Sequence, residues 1–235
     1  MASSAFLSPR ELHFASVYLR RSGMGFVSFG GYDGAERQRI YVLPEYMESV
    51  EDVYGLEAFG VLHEISAVKV IPSGYRKLIH RDFLGSVLGL GIERSVIGDI
   101  LVDDDSTAVI FCDSIMGDFL VSSLCKVAND KVSASLVALD GIQPTERRFA
   151  QINDTVASPR IDCIVGALCS ISRERAKETV VAGLVEINFE PEERPDRIVE
   201  APALVSVRGY RRHRVVAVSD VTKKGRYRLT AEKFL

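Results

Sequence analysis

Residues 158–188 read SPRIDCIVGALCSISRERAKETVVAGLVEIN and predict two short helices followed by a strand. Ser158 is a favourable N-cap, and Pro159 occupies the first helical position, which tolerates proline. Ser172 is expected to cap the second helix, and Gly183 to end it. Residues 184–187 alternate as a strand does. The first helix has one apolar face, formed at helical spacing by Ile161, Ile164, Val165 and Leu168.

Two cations on the second helix form the candidate binding face. Arg173 and Lys177 are four residues apart, so both side chains project from the same side of the helix. Like charges at this spacing repel each other mildly. The arrangement is therefore favoured where an anion binds between them.

The order of residues in this stretch resembles the S4 RNA-binding domain. That family has Arg-Leu-Asp near the start, Ser-Arg-x-x-Ala on the second helix and Gly-x-Val-x-Val-Asn in the strand. The matching segments here are RID at 160–162, SRERA at 172–176 and GLVEIN at 183–188. An ordinary helical hairpin with a basic surface is the alternative. The resemblance implies RNA contacts at Arg160, Ser172, Arg173, Arg175, Lys177 and Asn188.

The chain carries its positive charge at the C-terminal end, although its net charge is −3. Residues 1–157 hold 14 Lys and Arg against 21 Asp and Glu, whereas residues 158–235 hold 15 against 11. A basic end on an acidic body is typical of a polyanion-binding module. We therefore expect residues 156–235 to bind RNA and residues 1–150 to bind it much more weakly.

Two segments near the C-terminus interleave cations with aromatic residues, YRRHR at 210–214 and KKGRYR at 223–228. This composition suits phosphate contact and base stacking. A solvated hairpin edge protected by Lys and Arg is the alternative. The further RNA contacts expected here are Arg208, Tyr210, Arg211, Arg212, Lys223, Lys224 and Arg226.

The composition is that of an ordinary folded protein. The 235 residues are 47% hydrophobic and 26% charged, which allows a sizeable core and differs from a disordered chain. No apolar run approaches the length of a membrane span, and Arg10 and Glu11 interrupt any signal-peptide pattern. The four cysteines lack Cys-x-x-Cys spacing, so we expect reduced thiols in a cytoplasmic protein that contacts no membrane.

Local signals predict a small α/β unit at residues 1–65. The segment SPRE at 8–11 is a capping box, which predicts a helix running to about Arg21, before Gly23. Strands are expected at 26–29 and 39–42, joined by a glycine-rich turn region.

Residues 66–153 predict a second unit with the order β-α-β-β-α-β. Strands are expected at 67–71, 96–102, 108–112 and 132–139. One helix carries Phe83 and Val87, and the other carries Leu120, Leu124 and Val127. This is the ferredoxin-like order used by RRM domains, whose sheets display aromatic residues. The matching strand here offers only Phe111, so we do not expect base stacking on this sheet. Residues 140–153 should connect it to the basic end.

The front of the chain resembles the YlmH family of bacterial proteins. The segments that carry the resemblance are FGGY at 29–32, AER at 35–37, HRDFLG at 80–85, GLGI at 89–92 and GDI at 98–100. The resemblance covers residues 6–228 and implies an α+β protein of three domains: an N-terminal α/β domain (1–65), an RRM-like domain (66–153) and an S4 domain (154–235). It also implies action at the large ribosomal subunit in the rescue of stalled translation, where such proteins are thought to hold tRNA. An older attribution for the family is cell division.

Patterns for catalysis or metal binding are incomplete. The HRD at 80–82 lacks the Asn that a kinase loop has five residues later, where Val87 stands. Gly89 and Gly91 lack the third glycine of a dinucleotide fingerprint, because Arg94 holds that position. The DDD at 103–105 has no EF-hand pattern, so a solvated turn is expected. We therefore predict no catalytic residue, no cofactor and no metal site.

The sequence favours a non-catalytic monomer that binds rRNA or tRNA at the large ribosomal subunit. Two other functions remain open: an RNA-modifying enzyme of the pseudouridine-synthase type, to which S4 domains are often attached, and a cell-division scaffold with incidental RNA binding. Removing the side chains of Arg173 and Lys177 should change folding stability little. It should weaken RNA association about tenfold or more.

Overall fold

The protein has a mixed α/β structure made of two compact units, Met1–Thr145 and Glu146–Leu235. The computed structural model describes residues 2–44, 64–140, 142, 149–221 and 225–234. Among the helices in these ranges, none is both long enough and apolar enough to span a bilayer.

The described residues form five α-helices and fourteen strands. The helices are α1 (Pro9–Arg21), α2 (His80–Gly89), α3 (Ser114–Ser123), α4 (Ile161–Cys169) and α5 (Arg173–Val181), and a 3-10 helix occupies Arg94–Val96. In the first unit the strands are β1 (Ala2–Ser3), β2 (Phe26–Phe29), β3 (Arg39–Val42), β4 (Ile65–Pro72), β5 (Ile97–Val102), β6 (Ala108–Asp113), β7 (Lys126–Val127) and β8 (Asp130–Val137). In the second unit they are β9 (Phe149–Val156), β10 (Val185–Ile187), β11 (Glu190–Pro191), β12 (Ala203–Val207), β13 (His213–Val221) and β14 (Tyr227–Phe234).

Helix α1 begins at the predicted capping box. The Ser8 hydroxyl accepts the backbone N–H of Glu11, and the Glu11 carboxylate accepts the backbone N–H of Ser8 at 2.7 Å. Strands β2 and β3 have the predicted bounds and pair antiparallel. Strand β1 completes a small sheet in the order β1-β3-β2.

A five-stranded antiparallel sheet has the order β5-β6-β4-β8-β7. Along the chain, helix α2 follows β4 and helix α3 follows β6. The elements therefore occur in the predicted order, with the short strand β7 in addition. The prediction was wrong for the end of α3. Leu124 caps the helix with ψ 77°, because the chain turns there into β7, and Val127 is a strand residue.

Both faces of this sheet are covered at its centre. On one face the helices contribute Phe83 and Leu120 to a core with Val68 and Ile110, and all four are fully buried. On the other face Phe111 is fully buried within a cluster that includes residues of the N-terminal segment.

The second unit is a six-stranded antiparallel sheet in the order β11-β10-β12-β13-β14-β9, with α4 packed against β9 and β14. Strand β9 pairs with β14 along its whole length. The predicted connection at 140–153 was therefore wrong from Phe149 onwards, because those residues belong to this sheet.

Helix α4 starts later than predicted. Its N-cap is Arg160, not Ser158. The backbone is extended there because Arg160 forms a β-bridge with Ile198, and the Ile161 N–H donates to the Arg197 carbonyl at 2.8 Å. This long-range pairing holds residues 158–160 outside the helix.

Candidate nucleic-acid interface

Helices α4 and α5 pack against each other and present the predicted basic face. The Ser172 hydroxyl caps α5 as predicted, accepting a backbone N–H of its first turn at 3.2 Å. Ala176 and Val180 are fully buried. Arg173 and Lys177 lie on the exposed side of the helix, as their spacing predicts.

A buried carboxylate organises this face. Asp162 is only 2% exposed. Its carboxylate accepts the Nε of Arg160 at 3.3 Å and the Nε of Arg173 at 3.0 Å. The backbone N–H of Cys163 donates to the same group at 2.9 Å. One carboxylate thus fixes two guanidinium groups that come from different helix ends.

The charges of Arg160 and Arg173 stabilise the ionised form of Asp162. Burial alone would raise the pKa of Asp162, but the hydrogen bond and charge of Arg173, with the charge of Arg160, bring it below its ordinary value. Asp162 is therefore ionised at neutral pH. Both guanidinium groups use Nε for this contact, and the side chains are 36% exposed at Arg160 and 60% at Arg173. Because neither contact uses an Nη group, the Nη donors of these partly exposed side chains can bind a phosphate through two parallel N–H groups.

A third cation, Arg226, shares a concave surface with Arg173. Arg226 donates from Nε to the Thr155 hydroxyl at 3.0 Å and from Nη2 to the Thr155 carbonyl. Arg173, Arg226 and Asp162 all line one depression of about 320 Å³. Of the predicted set, Arg160 and Arg173 therefore pair with Asp162, and Arg226 lines the same depression as Arg173 and Asp162. The sequence did not predict the organising role of Asp162.

The remaining cations of α5 are more weakly constrained. Arg175 pairs with Glu178 at 3.0 Å, and both side chains are more than 60% exposed. Exposed pairs of this kind contribute little to stability, so Arg175 can exchange Glu178 for another anion. Lys177 stands exposed on the same helix.

Asn188 has a structural role. Its φ is 49°, a left-handed conformation that Asn tolerates better than most residues. Its side-chain oxygen accepts the backbone N–H of Leu204 at 2.8 Å, and its own N–H donates to the Leu204 carbonyl at 2.8 Å. These bonds hold the turn that follows β10 against β12. An RNA contact at Asn188 stays a prediction.

A second depression collects other residues of the predicted set. Arg208, Tyr210 and Arg212 line a concave surface of about 530 Å³ that shares no lining residue with the first. The Arg212 guanidinium lies 5.9 Å from the centroid of the Phe189 ring, a cation–π contact. Arg211 is exposed beside them. The predicted contacts Lys223 and Lys224 lie outside the described residues.

One residue of the 210–214 segment is internal. His213 is 1% exposed, and neither ring nitrogen has a hydrogen-bond partner within the described residues. Burial and the charge of Lys233 lower the pKa of His213. The backbone groups of Arg211 and Leu168, which face the ring without a hydrogen bond of good geometry, oppose this to a smaller extent. Only the arginines and the tyrosine of this segment therefore reach the surface.

Acid should destabilise the second unit through His213. Its folded pKa lies below the unfolded value of 6.5, so the unfolded chain binds more protons below that pH and stability falls. His213→Gln removes this titration, and the loss of melting temperature between pH 6.5 and 5 should become shallower. Circular dichroism melts of both proteins at several pH values measure this change in melting temperature. Parallel curves for the two proteins would show that His213 does not titrate on unfolding.

The comparisons with known proteins concern one segment of the chain and the chain as a whole. Residues 62–140 match a family described as "Putative RNA-binding domain in YlmH". This match lies in the first unit, apart from the arginines described above.

Relatives were also found at the level of whole chains. The chain is 30% identical over 233 residues to the "Ribosome-associated protein quality control protein P2" of Bacillus subtilis (strain 168), with 99% of this chain and 87% of the relative aligned. Among solved structures, the "Cell division protein ylmH from Streptococcus pneumoniae" has 26% identity and a TM-score of 0.46, covering 58% of this chain and 78% of that chain.

Proposed function

The chain belongs to the YlmH family, and from that premise we propose that it is a non-catalytic RNA-binding protein acting at the large ribosomal subunit in the rescue of stalled translation. Its RNA partners are rRNA and tRNA, and it works in the cytoplasm as a monomer. The observation that carries the proposal is the 30% identity over 99% of the chain to a ribosome-associated quality control protein.

The arginine group of the second unit supports a phosphate-binding role. Asp162 holds Arg160 and Arg173 in fixed positions, and Arg226 lines the same depression as Arg173. Oriented guanidinium groups bind backbone phosphates well, and A-form RNA presents its phosphates to proteins more readily than its narrow major groove. We therefore place the main RNA contact at this group, with Arg208, Tyr210, Arg211 and Arg212 as an outer rim.

The domain assignment is part of the same proposal. We assign the S4 domain to residues 154–235 together with the rest of β9, and an RRM-like domain to the β-α-β-β-α-β segment within 66–153. Residues 1–65 form the N-terminal domain. The match of residues 62–140 to an RNA-binding domain supports a second RNA-contacting region in the first unit.

Co-sedimentation with separated ribosomal subunits tests the function. The purified protein should travel with the large subunit and not with the small one. Adding free tRNA to large subunits should change the bound fraction if tRNA is part of the binding site. A protein that stays at the top of the gradient with both subunits would refute the proposal.

RNA affinity should depend strongly on salt. If about four to six phosphates are neutralised, the slope of log K against log salt concentration should be about −3 to −5. Fluorescence anisotropy with a labelled RNA hairpin at 50–200 mM salt measures this slope. A slope near zero would show that the arginine group is only a solvated surface.

A further inference from the structure

The sheet of the matched RNA-binding domain is closed to bases at its centre. Phe111 is the aromatic residue of β6, which lies next to the central strand β4, and it is fully buried. The Tyr32 ring covers it, with ring centroids 4.9 Å apart, and Phe6 belongs to the same cluster. RRM domains stack bases on exposed aromatics of this kind. Here the protein's own N-terminal segment occupies that face.

This cover is fastened by specific bonds. The Asp99 carboxylate accepts the Tyr32 hydroxyl at 2.7 Å and the backbone N–H groups of Glu36 and Arg37 at 2.6 and 3.1 Å. The Arg37 guanidinium donates to the Phe6 carbonyl at 2.7 Å. RNA bound by this domain must therefore use another surface.

An exposed aromatic side chain stands on the loop between β4 and α2. Tyr75 is 81% exposed, more than any other large hydrophobic residue of the described chain except Ile115. Hydrogen bonds to buried side chains hold the backbone of this loop. The buried carboxylate of Asp130 accepts the Ser73 hydroxyl and the Tyr75 N–H. Leu78 is 1% exposed, and its N–H donates to the Ser106 hydroxyl at 2.9 Å. Hydrogen bonds thus hold the backbone of this loop, and the Tyr75 ring projects from it into solvent.

Cations follow Tyr75 along the chain, on the same loop and at the start of α2. Lys77 and Arg81 are exposed. Arg76 is partly neutralised by Asp82 at 2.9 Å. The acidic turn at 103–105 lies just before Ser106, the residue that holds the loop. Because these charges nearly balance, binding here depends more on stacking than on net charge.

We propose that residues 73–81 form a second RNA-binding site, in which Tyr75 stacks on an unpaired base while Lys77 and Arg81 contact the flanking phosphates. The inference rests on the proposed RNA-binding function and deepens it. The ligand class is single-stranded RNA or a loop, because a base inside a duplex has no free face for stacking.

Binding of the full-length protein to two labelled probes tests the site. The probes are a single-stranded oligouridine 12-mer and a fully paired RNA duplex of the same length. Tyr75→Ala should weaken 12-mer binding about fivefold or more, since stacking on one aromatic contributes on the order of 1–3 kcal/mol per base. Tyr75→Phe should restore it, and duplex affinity should stay within about twofold in both variants.

Tyr18→Ala is the matched control, because Tyr18 is also an exposed tyrosine of the first unit, at 69%. It should leave the affinity for the 12-mer unchanged. If Tyr75→Ala binds the 12-mer as wild type does, or no more weakly than Tyr18→Ala, the second site is refuted while the proposed function stands. If the wild-type protein binds neither probe nor the large subunit, both proposals fall.

Discussion

Gly31→Ala should destabilise the first unit by about 3–5 kcal/mol, an exceptionally large effect for one methyl group. The φ of Gly31 is 103°, where residues with a side chain are strained. An added Cβ would also overlap Cδ1 of Phe111 and lie 2.8 Å from its Cε1. Phe111 is fully buried, so its ring cannot swing away. A drop of about 10 °C or more in the melting temperature is expected by circular dichroism.

Gly34→Ala separates backbone strain from the clash. Gly34 has a φ of 77°, but no atom lies within 4 Å of an added Cβ. The Gly34→Ala variant should therefore lose only the free energy of backbone strain, about 1–2 kcal/mol of folding stability. Equal losses in the two variants would mean that the ring of Phe111 yields and that the cover over the sheet is loosely packed.

Local signals predicted the elements that local chemistry decides. The capping box at Ser8 set the start of α1, and β2 and β3 have the expected bounds. The start of α4 was missed because it depends on a bridge between Arg160 and Ile198, almost forty residues away. Strand β9 was missed because its pattern is mixed and its stability comes from pairing with β14.

The sequence predicted which cations lie on the candidate site, but it did not predict how Asp162 holds them. Spacing alone placed Arg173 and Lys177 on one exposed face. The role of Asp162 had one sequence signal, a carboxylate between the apolar residues Ile161 and Cys163 in the first turn of a helix. A buried charge needs a partner, and the identity of that partner depends on how two helices pack. The same holds for Asp99, whose donors lie more than sixty residues earlier.

Arg173→Ala should weaken RNA binding about tenfold, the expected effect of losing a two-pronged phosphate contact. It should also lower the melting temperature by several degrees, because the buried Asp162 carboxylate loses its shorter ion pair. This differs from the expectation based on sequence alone. Arg175→Ala is the matched control. It also removes one positive charge from α5, but the carboxylate that loses its ion pair, Glu178, is exposed and not buried. Similar affinities for the two variants would mean that charge alone matters.

Asp162→Asn distinguishes positioning from net charge. The substitution makes the protein more positive by one unit, so simple attraction to phosphates predicts tighter RNA binding. If Asp162 instead fixes the guanidinium groups of Arg160 and Arg173, the variant must spend binding energy on ordering them, and affinity should fall about three- to tenfold. Folding should suffer less than in Arg173→Ala, because both arginines remain accessible to water. Anisotropy titrations at two salt concentrations, with melts of both variants, give the comparison. Tighter binding by Asp162→Asn would refute the positioning role and leave a basic surface that acts by charge.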